Sequence, residues 1–141
     1  MKLKIVRVDP TLPLPEYHTA GAVAFDFYTR VDATIAPHAT MLFPSNFIIE
    51  VPPGYFLMIA ARSSTHKKGL IPANGVGVID QDYHGPQDEI RLVLHNFTDQ
   101  PVTVQKGDRL AQGIIIPIVK PEWEEVTAIK EESRGGFGST G

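Results

Sequence analysis

Cysteine is absent from this 141-residue chain. That excludes a disulfide scaffold, a thiolate metal site and a cysteine nucleophile, and it suits a reducing, cytoplasmic setting. No apolar run reaches the length of a membrane span, so no membrane partner is expected. Excess positive charge is missing too. The formal net charge is −3, which argues against binding nucleic acid over the whole surface, so an anionic ligand would need a local cluster of cations. The five histidines show no zinc-ligand spacing. No G-K-[ST] follows a strand-like run, and no G-x-S-x-G nucleophile elbow occurs. A sustained 3.6-residue apolar period is also lacking, which excludes a helical bundle.

What the chain has in quantity is turn chemistry: twelve prolines and twelve glycines. Strand-like runs cover 3–8, 24–29, 32–36, 40–50, 54–61, 76–79, 88–96, 101–104, 109–118 and 123–129. Asp9-Pro10, Pro52-Pro53-Gly54, His84-Gly85-Pro86, Thr98-Asp99-Gln100-Pro101 and Lys106-Gly107-Asp108 punctuate them. Alternation is clean at 90–95, with Ile90, Leu92 and Leu94 on one face and Arg91 and His95 on the other. The N-terminal residues alternate as well, and read as a strand, not a signal peptide. Residues 55–61 and 114–116 are apolar on both faces, which suggests a double sheet or burial against another subunit. A short helical turn fits 63–68, and Trp123 reads as a core or interface anchor. The expected fold is all-β, a jelly-roll-like distorted barrel. Residues 1–132 form its one domain, and 133–141 form a flexible glycine-rich tail.

Five segments could carry chemistry. In Ala20–Asp26 a close-packed turn leads into a strand, and Asp26 lies between Phe25 and Phe27. Such a carboxylate is either a surface residue or a cation ligand, and taken alone the surface is the commoner place for it. Arg62–Gly69 puts three cations and three hydroxyls after an apolar strand, which suits phosphate. In Asn74–Gly85, Asp80 and Asp82 would share a face on an extended chain and could supply a general base beside Tyr83. In Lys106–Gln112, Gln112 lies in an apolar strand and needs a main-chain or ligand partner. The tail Ser133–Gly141 combines glycine amides, hydroxyls, Arg134 and Phe137. Those groups can wrap phosphate oxygens and stack on a base, although glycine-rich ends are commonly just frayed.

Taken together and in order, these segments resemble the five motifs of the trimeric dUTPase family. The resemblance rests on Arg62-Ser63-Ser64, on Gly77-Val78-Ile79-Asp80-x-Asp82-Tyr83, on Gly107-Asp108-Arg109-x-Ala111-Gln112 and on Phe137-Gly138-Ser139-Thr140-Gly141. It implies a jelly-roll homotrimer with shared active sites that hydrolyses dUTP to dUMP and pyrophosphate with Mg²⁺. That reaction lowers dUTP and supplies dUMP for thymidylate synthesis.

By the same resemblance, Asp80 matches the carboxylate that orients and deprotonates the attacking water, and Asp26 the aspartate near the magnesium shell. Arg62, Ser63, Ser64 and Gln112 match contacts to the phosphates. Asn74, beside Gly77, matches the uracil-recognising asparagine, and Tyr83 the ring against deoxyribose. Phe137 matches the lid over uracil, with Arg134, Gly138, Ser139 and Thr140 as the tail's phosphate side. Arg134 lies closer to Phe137 than the family's tail arginine does. The related dCTP deaminase branch carries a glutamate where this chain has Val93. A catalytically silent nucleotide-binding jelly roll is the remaining alternative.

Overall fold

The strands are short because turn residues interrupt the sequence so often. The computed structural model describes residues 1–136 and 138. It contains β1 (Lys4–Arg7), β2 (Phe25–Tyr28), β3 (Ala33–Ile35), β4 (Thr40–Pro44), β5 (Phe47–Glu50) and β6 (Tyr55–Ala60). A single 3₁₀ turn follows at Thr65–Lys68, then β7 (Leu70–Pro72), β8 (Gly77–Ile79), β9 (Arg91–Asn96), β10 (Val102–Val104) and β11 (Arg109–Pro117). The largest sheet runs β2-β11-β6-β8, the next β4-β9-β7, and the ribbons β1-β5 and β3-β10 complete the fold. It is all-β, as the turn-rich sequence implied.

Period-two alternation places the core. Ile90, Leu92 and Leu94 are buried, Arg91 faces out, and Phe27, Phe43, Phe47 and Leu57 meet them from the other strands. By contrast, the expected two-sided burial of 55–61 and 114–116 is not reached within one chain. Phe56, Met58 and Ile114–Ile116 are only half-buried.

Three expected elements differ. The run 40–50 is two strands, because Asn46 adopts a left-handed φ of 74°. Its side chain explains the break: Asn46 Oδ1 accepts from Asp9 N at 2.6 Å, and Nδ2 donates to the Asp9 carbonyl at 3.0 Å. Leu70–Pro72 is a strand the pattern did not signal, since it is shorter than a readable alternation. Residues 123–129 form no strand, because among the described residues nothing pairs with them. Trp123 is 94% exposed, so it is no part of this chain's core.

Glu89 locks the kink at Asn46. It is buried, takes a two-pronged contact from Arg30 at 2.8 and 2.9 Å, and accepts from Asn46 N at 2.9 Å. Burial alone would raise its carboxyl. The Arg30 pair, the Asn46 amide and the Arg91 charge outweigh burial and hold it below its ordinary 4.5. A depressed carboxylate contributes stability above its unfolded pKa and loses it as pH falls through the folded value. Glu89→Gln should therefore cost about 3 kcal/mol near neutral pH, since it strands a half-buried guanidinium. That deficit should shrink as pH drops below about 4.5. Urea unfolding at pH 7 and pH 4 measures both, and a deficit that does not change with pH would rule out this role.

Candidate active site

The site is built on one row of the large sheet. Antiparallel register sets Asp26 of β2 opposite Gln112 of β11, and Gln112 opposite Ala60 of β6. Directly paired residues share a face, so these three side chains point the same way. Arg62 lies just past the end of β6 on the same parity. A register shift between Arg109 and Ala111 pairs Arg109 with Tyr28, which lies on the Asp26 face. The bulge thus returns Arg109 to the side that holds Asp26.

Asp26 organises the cluster. Although a surface position is commoner for an aspartate between two aromatics, it is only 6% exposed. Arg62 Nε donates to its Oδ1 at 2.7 Å, and Arg109 Nη1 to Oδ2 at 3.1 Å. His18 Nε2 lies 3.0 Å from the same Oδ2. The burial is tolerated because the charge is fully paired. Arg62 is held in turn by its loop. Its amide donates to Thr65 Oγ1 at 2.9 Å, Thr65 Oγ1 donates to the Leu110 carbonyl at 3.2 Å, and Arg62 Nη1 reaches Ser64 Oγ at 3.3 Å. The expected helical turn is therefore real, and Thr65 ties it to β11. Ser63 faces solvent beside it. Gln112 has the main-chain partner its setting required, donating to the Ala61 carbonyl at 2.9 Å.

The carboxylate segment lies elsewhere. β8 pairs with β6 through Gly77↔Ile59 and Leu57↔Ile79, so the next step puts Asp80 beside Phe56. From Phe56 to Arg62 an extended strand covers roughly 20 Å. Asp80 is thus at the opposite end of β6 from the arginine cluster. The chain does not stay extended there: β8 stops at Ile79, and Gln81-Asp82 turns away, pinned by Gln81 Nε2 donating to the Tyr55 carbonyl at 2.9 Å. Asp80 and Asp82 nevertheless line one recess with Tyr55, Phe56, Ile118 and Lys120.

Asn74 lies toward the Ala60 end of β6. It occupies a cleft with Gly77, Ala60, Arg91 and Val93, inside a tight turn in which Gly75, at φ 72°, donates its N–H to the Pro72 carbonyl. A Cβ at Gly77 would come within 3.1 Å of Ile59 Cβ, a contact that Ile59 would have to relieve by a few tenths of an ångström. Tyr83 is 38% exposed, and its hydroxyl donates to the Glu89 carbonyl at 3.4 Å.

One chain therefore gathers Asp26, Arg62, Ser64 and Gln112, and keeps Asn74, Gly77, Asp80 and Tyr83 apart from them. Arg134 and Gly138 are exposed in the C-terminal segment. Phe137, Ser139 and Thr140 lie outside the described residues. Two members of the cluster, Arg109 and His18, escaped the sequence reading as site residues. A bulge flips the first and a loop delivers the second, and neither leaves a periodic signal.

Among the described residues no three acidic or histidine side chains converge as a metal cage. The donor set still fits a hard cation that brings its own ligands. Asp26 offers about four lone-pair directions; Arg62 takes one on Oδ1 and Arg109 one on Oδ2, where His18 also lies, so the second on Oδ1 is left for a water. Mg²⁺ commonly keeps its waters and takes the rest of its shell from one or two carboxylates and the substrate's phosphates.

Comparison with known proteins agrees with this architecture. The deoxyuridine 5'-triphosphate nucleotidohydrolase of Anaplasma marginale (strain St. Maries) is 39% identical over 148 residues, covering 100% of this chain and 99% of that protein. The dUTPase of Streptococcus mutans superposes with a TM-score of 0.79 at 32% identity, over 87% of this chain and 100% of that one. A point mutant of the dUTPase of phage phi11 of S. aureus, whose structure shows the coordination of a structural Mg(II) ion, shares the fold at TM-score 0.81 and 20% identity, over 92% of this chain and 99% of that one. The sequence profile described as dUTPase matches residues 11–141, and the chain belongs to the dUTPase family.

Proposed function

We propose that this protein hydrolyses dUTP to dUMP and pyrophosphate. The observation that carries the reading is the cation cluster on a buried carboxylate, Asp26 with Arg62 and Arg109, at the end of β6 away from Asp80. A triphosphate needs charge neutralisation before an oxygen can approach phosphorus. Arg62, Ser63, Ser64 and Gln112 bind the phosphate chain. Asn74 and the Gly77 backbone read uracil in their cleft, and Tyr83 packs on the deoxyribose, where a 2′-hydroxyl would collide. Asp80 orients a water and takes its proton as the water oxygen bonds to the α-phosphorus. The bond from that phosphorus to the bridging oxygen breaks, and pyrophosphate leaves. Bound Mg²⁺ would supply further neutralisation of the phosphates, with Asp26 facing its water shell.

The distance along β6 supports a shared site. The Asp80 side of one chain meets the arginine side of another in a homotrimer, and Arg134, Phe137, Gly138, Ser139 and Thr140 close over the nucleotide. In that assembly the half-buried apolar residues of β6 and β11 gain cover. Closure excludes water and completes the constellation.

The test is product analysis with dUTP, UTP and dCTP in Mg²⁺. Expected are dUMP and pyrophosphate from dUTP, and far slower turnover of UTP. Release of dUDP and phosphate from dUTP, or of ammonia from dCTP, would overturn the reading. Ammonia is the product of the deaminase branch, whose glutamate is replaced here by Val93.

A further inference from the structure

His18 is the member of the arginine cluster that the proposed chemistry leaves without a role. It stands on the loop before β2. That loop is fixed by Tyr17, whose ring packs edge-on against Phe25 at 5.8 Å between centroids, and by a turn in which Ala22 N donates to the Thr19 carbonyl at 3.1 Å. The imidazole opens onto a hollow lined by Tyr17, Thr19, Ala20 and Ala22. Its Nε2 lies 3.0 Å from Asp26 Oδ2 and 2.9 Å from Arg109 Nη1.

These two neighbours make opposite demands on one atom. Arg109 only donates and Asp26 only accepts, whereas a neutral ring nitrogen does one or the other. While Arg109 donates to Nε2, that nitrogen has no proton for Asp26. Asp26 tolerates this because Arg109 also donates to its Oδ2. A phosphate oxygen arriving at the cluster competes for the Arg109 guanidinium, whose side chain is 42% exposed. Its departure would leave Oδ2 of a carboxylate only 8% exposed without a donor, and a buried acceptor left unmatched is costly. His18 is already within bonding distance of that oxygen and needs only to carry its proton on Nε2.

We propose that His18 is a positioning residue of the phosphate side of the site. It steadies Arg109 in the free protein and takes over Asp26 Oδ2 when a polyphosphate chain draws Arg109 away. This rests on reading the Asp26 cluster as the phosphate-binding side. Through Arg109 the role falls on binding, and through Asp26 it keeps the carboxylate in place once the ligand is bound.

Two measurements on the full-length protein test it. The first uses inorganic tripolyphosphate in EDTA and follows the imidazole nitrogens by long-range ¹H–¹⁵N NMR. At saturation the His18 Nε2 resonance should move from an unprotonated to a protonated position. No binding of tripolyphosphate, or binding without that move, overturns the proposal. The second is steady-state hydrolysis of dUTP with Mg²⁺. His18→Ala should raise KM about fivefold or more, since a hydrogen bond to charged groups is lost. It should leave kcat within about twofold and the unfolding temperature nearly unchanged, as a half-exposed side chain warrants. His18→Gln, whose amide can accept from Arg109 or donate to Asp26, should restore KM. An unchanged KM in His18→Ala, or a loss of stability that His18→Gln does not repair, overturns the proposal. Should the wild-type protein not hydrolyse dUTP, the proposed reaction falls, and the tripolyphosphate measurement still decides the role of His18.

Discussion

Asp80→Asn is expected to lower kcat about 10²–10⁴-fold while nucleotide affinity changes little. The amide keeps the shape of the side chain but cannot take a proton from water. The surroundings make this a clean substitution. Asp80 is exposed just beyond β8, and among the described residues its carboxylate takes no hydrogen bond and enters no ion pair. The local turn is held by other groups, Gln81 Nε2 on the Tyr55 carbonyl at 2.9 Å and Tyr83 N on the Asp80 carbonyl at 3.4 Å. Both survive the change, so unfolding temperature should stay within about 2 °C, as for a surface substitution away from structural features. Steady-state kinetics alongside binding of a non-hydrolysable dUTP analogue separates the two effects. If affinity collapses and turnover persists, Asp80 is not the base, and Asp82, which lines the same recess, becomes the candidate.

The contrast between Asp80 and Asp26 shows which parts of the site were legible in the sequence. Both are aspartates next to apolar strand residues, and the five-motif resemblance named both. Their physical settings are opposite: Asp80 is solvent-facing, and Asp26 is buried beneath two arginines and a histidine. Alternation puts Asp26 on a definite face, but the face becomes an interior one only because Arg62 and Arg109 arrive from distant segments to cover it. Arg109 arrives by a bulge, which changes the face of a side chain without altering the residue pattern.

The same limit appears in the fold. The stretch 40–50 has strand character throughout, yet Asn46 divides it because its side chain finds Asp9 and its amide finds Glu89, both remote in sequence. Regular burial could be read where one strand's own period sets it, as in β9. Kinks, bulges and buried charges depend on partners that the local sequence does not announce. The separation of Asp80 from Arg62 belongs to this second class, since it follows from the β6–β8 register and not from either motif.

Removing residues 133–141 should leave a folded protein and reduce kcat/KM for dUTP about 10²-fold or more. Folding should survive because Ser133–Gly136 are exposed, and their one hydrogen bond among the described residues, Gly135 N to Ser133 Oγ at 3.2 Å, is local. Among the described residues of the segment none belongs to the core. The loss of activity follows from what the tail carries. Phe137 stacking on a base is worth about 1–3 kcal/mol, or roughly 5- to 150-fold by itself. In the proposed site Arg134, Ser139 and Thr140 would add donors toward the phosphates, and their removal would readmit bulk water. Phe137→Ala alone should therefore reproduce only part of the deficit seen on deletion.

A mixing experiment carries the argument to the assembly. Chains carrying Asp80→Asn retain the arginine cluster and the tail. Tail-less chains retain Asp80. If a site draws its base, its arginines and its tail from different chains, co-refolded mixtures should regain activity that neither parent shows. A mixture that stays inactive after verified subunit exchange would mean that each chain completes its site alone, and a tail-less protein with unchanged kcat/KM would mean that the tail takes no part in the site. The roughly 20 Å between the two ends of β6 makes that arrangement hard to build without unpairing β8.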